Sequence, residues 1–183
     1  MNWTIPGTTL EGPRENADRT SEQFQALFLA GGLTLSQVAS VTGLEPYTIQ
    51  NWVKRGFLTP PRGKRYDMEQ VCRIININLL KGTLPLEQIC SLMAYLNGDL
   101  AGESDDLIDD TVLYFMFVRL AARARYIGGD QDWDHAIDDT TASYAEPVPG
   151  ARDKLTRVLK IMLTAWVAGR IKAAAEEMID NLK

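Results

Sequence analysis

Between residues 33 and 66 the apolar positions fall into two short helical runs joined by a tight turn and followed by a small basic loop. Val38, Ala39 and Val41 give the first run its apolar side, Thr42-Gly43 breaks it, and Glu45-Pro46 restarts a helix with proline at its permitted first position. In the second run Ile49, Trp52 and Val53 sit at helical spacing and face inward, so Tyr47, Thr48, Gln50, Asn51 and Lys54 point largely outward. Gly56 can close that helix in a left-handed cap, and Thr59-Pro60-Pro61-Arg62-Gly63 is turn chemistry. Asp67 with Gln70 three residues on opens a third helix over about 68–81, with Val71, Ile74, Ile75 and Leu79 as its apolar set. A fourth helix spans about 86–96.

On either side of this block the pattern changes. Residues 1–20 hold Pro6, Gly7, Gly12, Pro13 and many polar groups, which predicts an extended, mobile N-terminal arm. A short helix opens at Ser21-Glu22-Gln23-Phe24, with Phe24, Leu27 and Phe28 on one side, and ends at Gly31-Gly32. The polar, glycine-bearing stretch 97–103 marks a domain boundary, giving a head at 21–98 and a helical region at 99–183. Ser104 caps a helix whose first turn holds Asp105 and Asp106 and whose body, from Leu107 to Leu120, is apolar around much of its circumference. The last helix, about 151–181, offers it a partner through Leu155, Leu159, Met162, Trp166, Ile171, Ala175, Met178 and Leu182. Two such helices make a thin core for an independent unit. Pairing with a second copy would supply what is missing, so a homodimer is expected; the competing expectation is a tail folded back on its own head.

Charge sharpens the division. The 183 residues carry a formal net charge of −5, but residues 21–98 are net +2 and residues 99–183 net −6. No apolar run approaches bilayer-spanning length and no basic-then-apolar leader opens the chain, so a cytoplasmic location is expected. Cys72 and Cys90 are the two cysteines, each beside a core-type residue, and buried reduced thiols are the expectation.

Polar residues on an exposed helix face are ordinary, but the run that follows them is not. Lys54, Arg55, Arg62, Lys64 and Arg65 come with no acidic residue among them, and the last three sit at a loop tip where a duplex backbone could be met. Gln50 and Asn51 match the donor and acceptor edges of adenine, Lys54 suits phosphate or guanine, and Tyr47 can reach a phosphate oxygen. The candidate DNA-binding set is therefore Tyr47, Thr48, Gln50, Asn51, Lys54, Arg55, Arg62, Lys64 and Arg65.

From Leu35 through Ser36-Gln37-Val38-Ala39, Thr42-Gly43-Leu44, Tyr47 to Trp52 and Gly56-Phe57-Leu58 to Pro60, the register resembles the winged-helix head of the MerR-type transcriptional regulators without a gap. Lys64-Arg65-Tyr66-Asp67 stands where that family carries its wing exit, and Leu86-Glu87-Gln88-Ile89 looks like its second helix pair. The resemblance covers 65 residues, Leu33 to Asn97. The family usually carries two arginines and paired tyrosines on the recognition helix, where this chain has Tyr47, Gln50, Asn51 and Trp52. The helical tail resembles that of an uncharacterised bacterial family. The resemblance implies an all-α fold with a small β wing, a MerR-like winged helix-turn-helix head with a helical C-terminal region. It also implies a dimer that binds double-stranded promoter DNA sequence-specifically and bends or untwists it.

Two other readings stay open: an architectural or excision-type DNA-binding protein using the same head, and a protein-interaction module built on a degenerate winged helix. Gly128 to His135 places three carboxylates at alternate positions like a calcium loop, but His135 stands where a glycine is needed and Thr141 where a glutamate should close the shell. A solvated acidic loop before a short helix is expected there, with no metal and no cofactor. One histidine, no nucleophile elbow and no phosphate-cradling glycine loop argue for a non-enzyme. Tyr114, Phe115, Phe117 and Trp166 could line a pocket for an unknown small-molecule effector, with core packing the preferred expectation.

Overall fold

The computed structural model describes residues 2–98, 106–124 and 133–182, and these are mostly helical with two small two-stranded antiparallel sheets. A hairpin of β1 (Asn2–Thr4) and β2 (Glu11–Pro13) precedes α1 (Ala17–Leu27). Strand β3 (Leu33–Thr34) runs straight into α2 (Leu35–Thr42) and α3 (Pro46–Lys54). Strand β4 (Arg65–Tyr66) returns beside it, pairing Leu33 with Tyr66 and Thr34 with Arg65. Helices α4 (Met68–Leu80), α5 (Leu86–Asn97), α6 (Asp110–Arg123), α7 (Trp133–Thr141) and the 30-residue α8 (Ala151–Asp180) complete the chain.

Local chemistry sets most of the helix starts. Thr34 and Gln37 form a reciprocal capping box at α2, and Asp67 and Gln70 form another at α4. Helix α6 begins at Asp110, not near Ser104, which lies outside the described residues. Asp109 is its cap, accepting the amides of Thr111 and Val112. The residues just before it are held out of the helix: the Asn97 side chain donates to the Ile108 carbonyl and accepts the Ile108 amide, while the Tyr144 hydroxyl donates to the Leu107 carbonyl.

The described residues of the expected arm, 2–20, are not mobile coil. Residues 2–13 form the docked β1–β2 hairpin, and α1 starts inside the expected arm with Asn16 as its cap. Ile5 is buried, the Tyr114 hydroxyl donates to the Pro6 carbonyl at 3.0 Å, and the Asn78 amide donates to the Gly7 carbonyl at 2.9 Å. Arg14 donates from Nε to the Ala122 carbonyl and from Nη2 to the Ala124 carbonyl, covering the C-terminal end of α6. The glycine that suggested disorder is what permits this fit. Gly7 has φ +74°, and a Cβ there would stand 2.8 Å from Ile75 Cγ2 and 2.9 Å from Leu79 Cγ. In α1, Phe24 is buried as expected, whereas Leu27 is exposed.

Packing does not divide at residue 98. Helix α4, buried on every side from Val71 to Ile77, is surrounded by α2, α5, α6 and α8, so head and tail share one hydrophobic core. The apolar tail helices thus find in the head the partner they need, and the shortage of core from which a homodimer was expected does not arise. The aromatic residues considered for an effector pocket are packed in this core instead. Phe24 meets Tyr114 and Phe115 at ring-centroid distances of 5.7 Å, and Phe117 meets Trp166 edge-on at 5.7 Å. A buried polar tie crosses the same junction: Arg73 pairs with Asp110 at 3.2 Å, and the Asn76 amide donates to the Asp110 carboxylate. In α8 the expected stripe is only half used. Leu155, Leu159, Met162 and Trp166 are buried, but no residue after Val167 is, because the helix outruns the body it packs on.

Candidate nucleic-acid interface

The surface is built on a sharp helix-turn-helix corner. Thr42 turns its hydroxyl to the Val38 carbonyl, the Leu44 amide donates back to that hydroxyl, and Gly43 at φ +68° ends α2. Pro46 then starts α3, which anchors on Ile49 and Trp52, both buried. Its far end closes in a Schellman arrangement: the Gly56 amide donates to the Val53 carbonyl and the Phe57 amide to the Trp52 carbonyl. With that anchoring, Gln50 and Lys54 are exposed, Tyr47 is 75% exposed, and Thr48 and Asn51 are half-buried. Val53, expected inside, is half-buried at the edge of the face.

The basic loop is a tight hairpin. Arg62 and Arg65 form a bridge, the Arg65 amide donates to the Arg62 carbonyl at 3.0 Å, and Gly63 and Lys64 between them have φ +54° and +64°. Positive φ at both central positions defines the turn type that matches strand twist. Lys64 is the one non-glycine residue with positive φ among the described residues, a conformation that costs a lysine about 1 kcal/mol or more. Gln70 fixes the approach strand by donating to the Thr59 side chain and the Pro60 carbonyl.

The five basic residues are not equivalent. Arg55 is paired with Glu87 of α5 at 2.6 Å and lies over the Phe57 ring, which turns its guanidinium away from the outward face of α3. Arg65 donates to the Gly32 carbonyl at 2.7 Å and braces β4 against the end of the α1 connection. The structure therefore does not present these two as free contacts. Lys54, Arg62 and Lys64 are exposed and form no ion pair among the described residues.

Helix and hairpin meet across one groove of about 420 Å³, lined by Leu35, Gln50, Val53, Pro61, Lys64 and Tyr66. Gln50 and Lys64 thus face a common space from opposite sides. Leu35, Pro61 and Tyr66 complete it, and sequence reasoning did not place them at the site. Their signal was present only as the turn and strand residues bracketing the basic run. Chemically, the face combines an amide-bearing helix, three exposed cations and an apolar floor.

Elsewhere the described residues carry less chemistry. His135 is exposed on α7, 3.9 Å from Asp139, and Asp130 and Asp132 of the supposed calcium loop lie outside the described residues. No group of three or more His, Cys, Asp or Glu among the described residues could hold a metal ion, and none of the described helices is long and apolar enough to cross a membrane. Cys72 is buried and Cys90 half-buried, and burial pushes both thiols above the ordinary range.

Residues 30–117 match a family described as a domain of unknown function, DUF1836. An uncharacterized protein of Bacillus subtilis (strain 168), YkrK, is 30% identical over 84 residues, covering 44% of this chain and 36% of that protein. The chain thus matches little more than a third of that relative's length. No solved structure matches.

Proposed function

We propose that the chain is a DNA-binding transcriptional regulator of MerR-like type, with α2 and α3 as a helix-turn-helix and the 59–66 hairpin as its wing. The observation that carries the reading is the shared groove: Gln50 of α3 and Lys64 of the hairpin line one concavity, with Lys54 and Arg62 exposed beside it. An α-helix presenting Tyr47, Gln50 and Asn51 fits a major groove, where the two amides pair with adenine edges. Lys54, Arg62 and Lys64 hold phosphates on either side. The left-handed Lys64 supports the assignment, because a cation is kept at a position where glycine or asparagine would be less strained. A cytoplasmic location belongs to this reading.

A second reading, protein recognition by the same face, is favoured by the apolar floor of Leu35, Val53 and Pro61 and by the exposed ring of Tyr47. The test separates the two. Fragments of the source genome retained by the chain are selected, and the best is compared with a scrambled duplex. DNA reading requires selective retention that Gln50→Ala with Asn51→Ala abolishes while salt-sensitive nonspecific binding persists. Absence of DNA retention at low salt would end the proposal, and footprints over attachment sites rather than promoters would turn it toward an architectural role.

A further inference from the structure

The C-terminal end of α2 is completed by residues far from it in sequence. The Gly43 amide donates to the Ala39 carbonyl, and the three carbonyls that follow are met from outside the corner. Thr9 donates from its hydroxyl to the Ser40 carbonyl at 2.7 Å and from its amide to the Val41 carbonyl at 2.8 Å. The Asn78 amide donates to the Thr42 carbonyl at 2.9 Å. A Cβ on Gly43 would stand 3.2 Å from Thr9 Cγ2, so the 5–10 loop bears directly on the turn that leads into α3. The loop is shaped in advance by its own bonds. The Ile5 amide donates to the Leu10 carbonyl, and the Thr8 hydroxyl donates to the Ile5 carbonyl while accepting the Leu10 amide. Its seat is equally specific: the Tyr114 hydroxyl of α6 holds the Pro6 carbonyl, and the same Asn78 amide that meets Thr42 holds Gly7. The loop lies ahead of residues 30–117, which match the family, so that likeness does not account for it.

We propose that the 5–10 loop is a positioning element for α3: Thr9, Asn78 and Tyr114 hold the helix-turn-helix corner at the pitch that brings Gln50 and Asn51 to base edges. This rests on reading the α3 face as a DNA-binding surface. Thr9 is exposed, so water would satisfy the end of α2 at little cost if the loop were absent. The bonds from Thr9 therefore contribute position more than stability. Position decides at such a face, because a side chain that pairs with a base edge must be held to within about 0.5 Å of its productive place. Gly43, at φ +68°, is the turning point between α2 and α3, and the loop and Asn78 grip the three residues immediately before it. Tyr114 is fully buried and Asn78 lies on α4, so both act through the loop and the end of α2 rather than on a duplex.

Two near-isosteric variants test this in the full chain. Thr9→Val removes the hydroxyl that meets Ser40, and Tyr114→Phe removes the one that meets Pro6. Affinities for the best selected genomic fragment and for its scrambled duplex are measured by anisotropy. Each variant lowers the ratio of the two affinities by about two- to ten-fold, the worth of one hydrogen bond. The salt slope stays at the parental value, because Lys54, Arg62 and Lys64 are untouched. Thr9→Ser restores the ratio. The double variant loses no more than the larger single loss, since both loosen one loop. Hydrogen exchange without DNA reads the loop's hold on the corner separately: the Gly43 and Leu44 amides exchange several-fold faster in both variants, while those of α5 and α8 do not change. An unchanged ratio, fully additive losses, or faster exchange confined to residues 5–10 overturns the inference. A parent chain that retains no DNA would remove the reading of the face, and exchange at Gly43 and Leu44 would then decide the loop's hold by itself: acceleration upholds it and its absence overturns it.

Discussion

Titrating salt against duplex affinity counts the phosphates a protein neutralises, and here the count follows from side-chain engagement. Of five basic residues on and around α3 and the hairpin, Arg55 is committed to Glu87 and Arg65 to the Gly32 carbonyl, leaving Lys54, Arg62 and Lys64. Three phosphate contacts per chain give a slope of log affinity against log salt of about −2.7, and two chains on one duplex about −5.4. Between 50 and 200 mM salt, affinity would then fall about 40-fold for one chain and about 2,000-fold for two. Arg62→Ala or Lys64→Ala flattens the slope by about one unit per chain, whereas Arg65→Ala leaves it nearly unchanged. Fluorescence anisotropy of a labelled duplex at four or five salt concentrations measures each slope. A flat parental slope, or equal losses for Arg62→Ala and Arg65→Ala, would refute the division into free and engaged cations and with it the placement of the duplex.

Asp110→Ala leaves the Arg73 guanidinium buried without its carboxylate, and the expected cost is about 3–5 kcal/mol, seen as a loss of roughly 6–20 °C in thermal midpoint. Arg73→Leu with Asp110→Leu should cost less than either single change, and a single-variant loss under about 1 kcal/mol would contradict the buried pairing. Burial, then Asp109, Asp110, Asp67 and Asp106, push the Glu69 carboxyl up to about 7, so the native state holds this proton more tightly than the unfolded chain. Stability from that source is complete below about pH 4.5 and lost as pH rises to about 7. Glu69→Gln removes this dependence in urea unfolding compared at pH 5 and 8, by less than about 1 kcal/mol because the side chain is substantially exposed. Gly7→Ala pays for positive φ and for the approach to Ile75 and Leu79, about 2–4 kcal/mol in all, with hydrogen-exchange protection lost first in β1, β2 and the end of α6.

Where a helix is set by neighbours in sequence, the sequence was legible. Thr42-Gly43 ends α2 where expected, Pro46, Gly56 and the Asp67 box place α3 and α4 almost to the residue, and α5 ends one residue from expectation, while the Thr34 box that opens α2 was there to be read and was not. The outward set on α3 was equally readable, because burial of Ile49 and Trp52 leaves Gln50 and Lys54 no other direction. What failed depended on partners far away. Glu87, which draws off Arg55, is 32 residues downstream, and the docking of Pro6-Gly7 depends on Ile75, Asn78 and Tyr114. Turn-rich composition looks the same in a free arm and in a backbone pressed against a helix. Likewise the 3.6-residue period of α8 located its apolar residues but could not say where the supporting body stops.

The contacts of Pro6 and Arg14 reach 108 to 110 positions along the chain. During translation those early strands are made long before their seat on α6 exists, so the nascent chain carries them unplaced until the aromatic stretch around Tyr114 has left the ribosome. That long loop cannot close until α6 has been made, and a stalled or truncated chain ending before α6 would hold a complete helix-turn-helix corner with the hairpin loop seated on α2 and α4 alone, through Thr9 and the Asn78 amide.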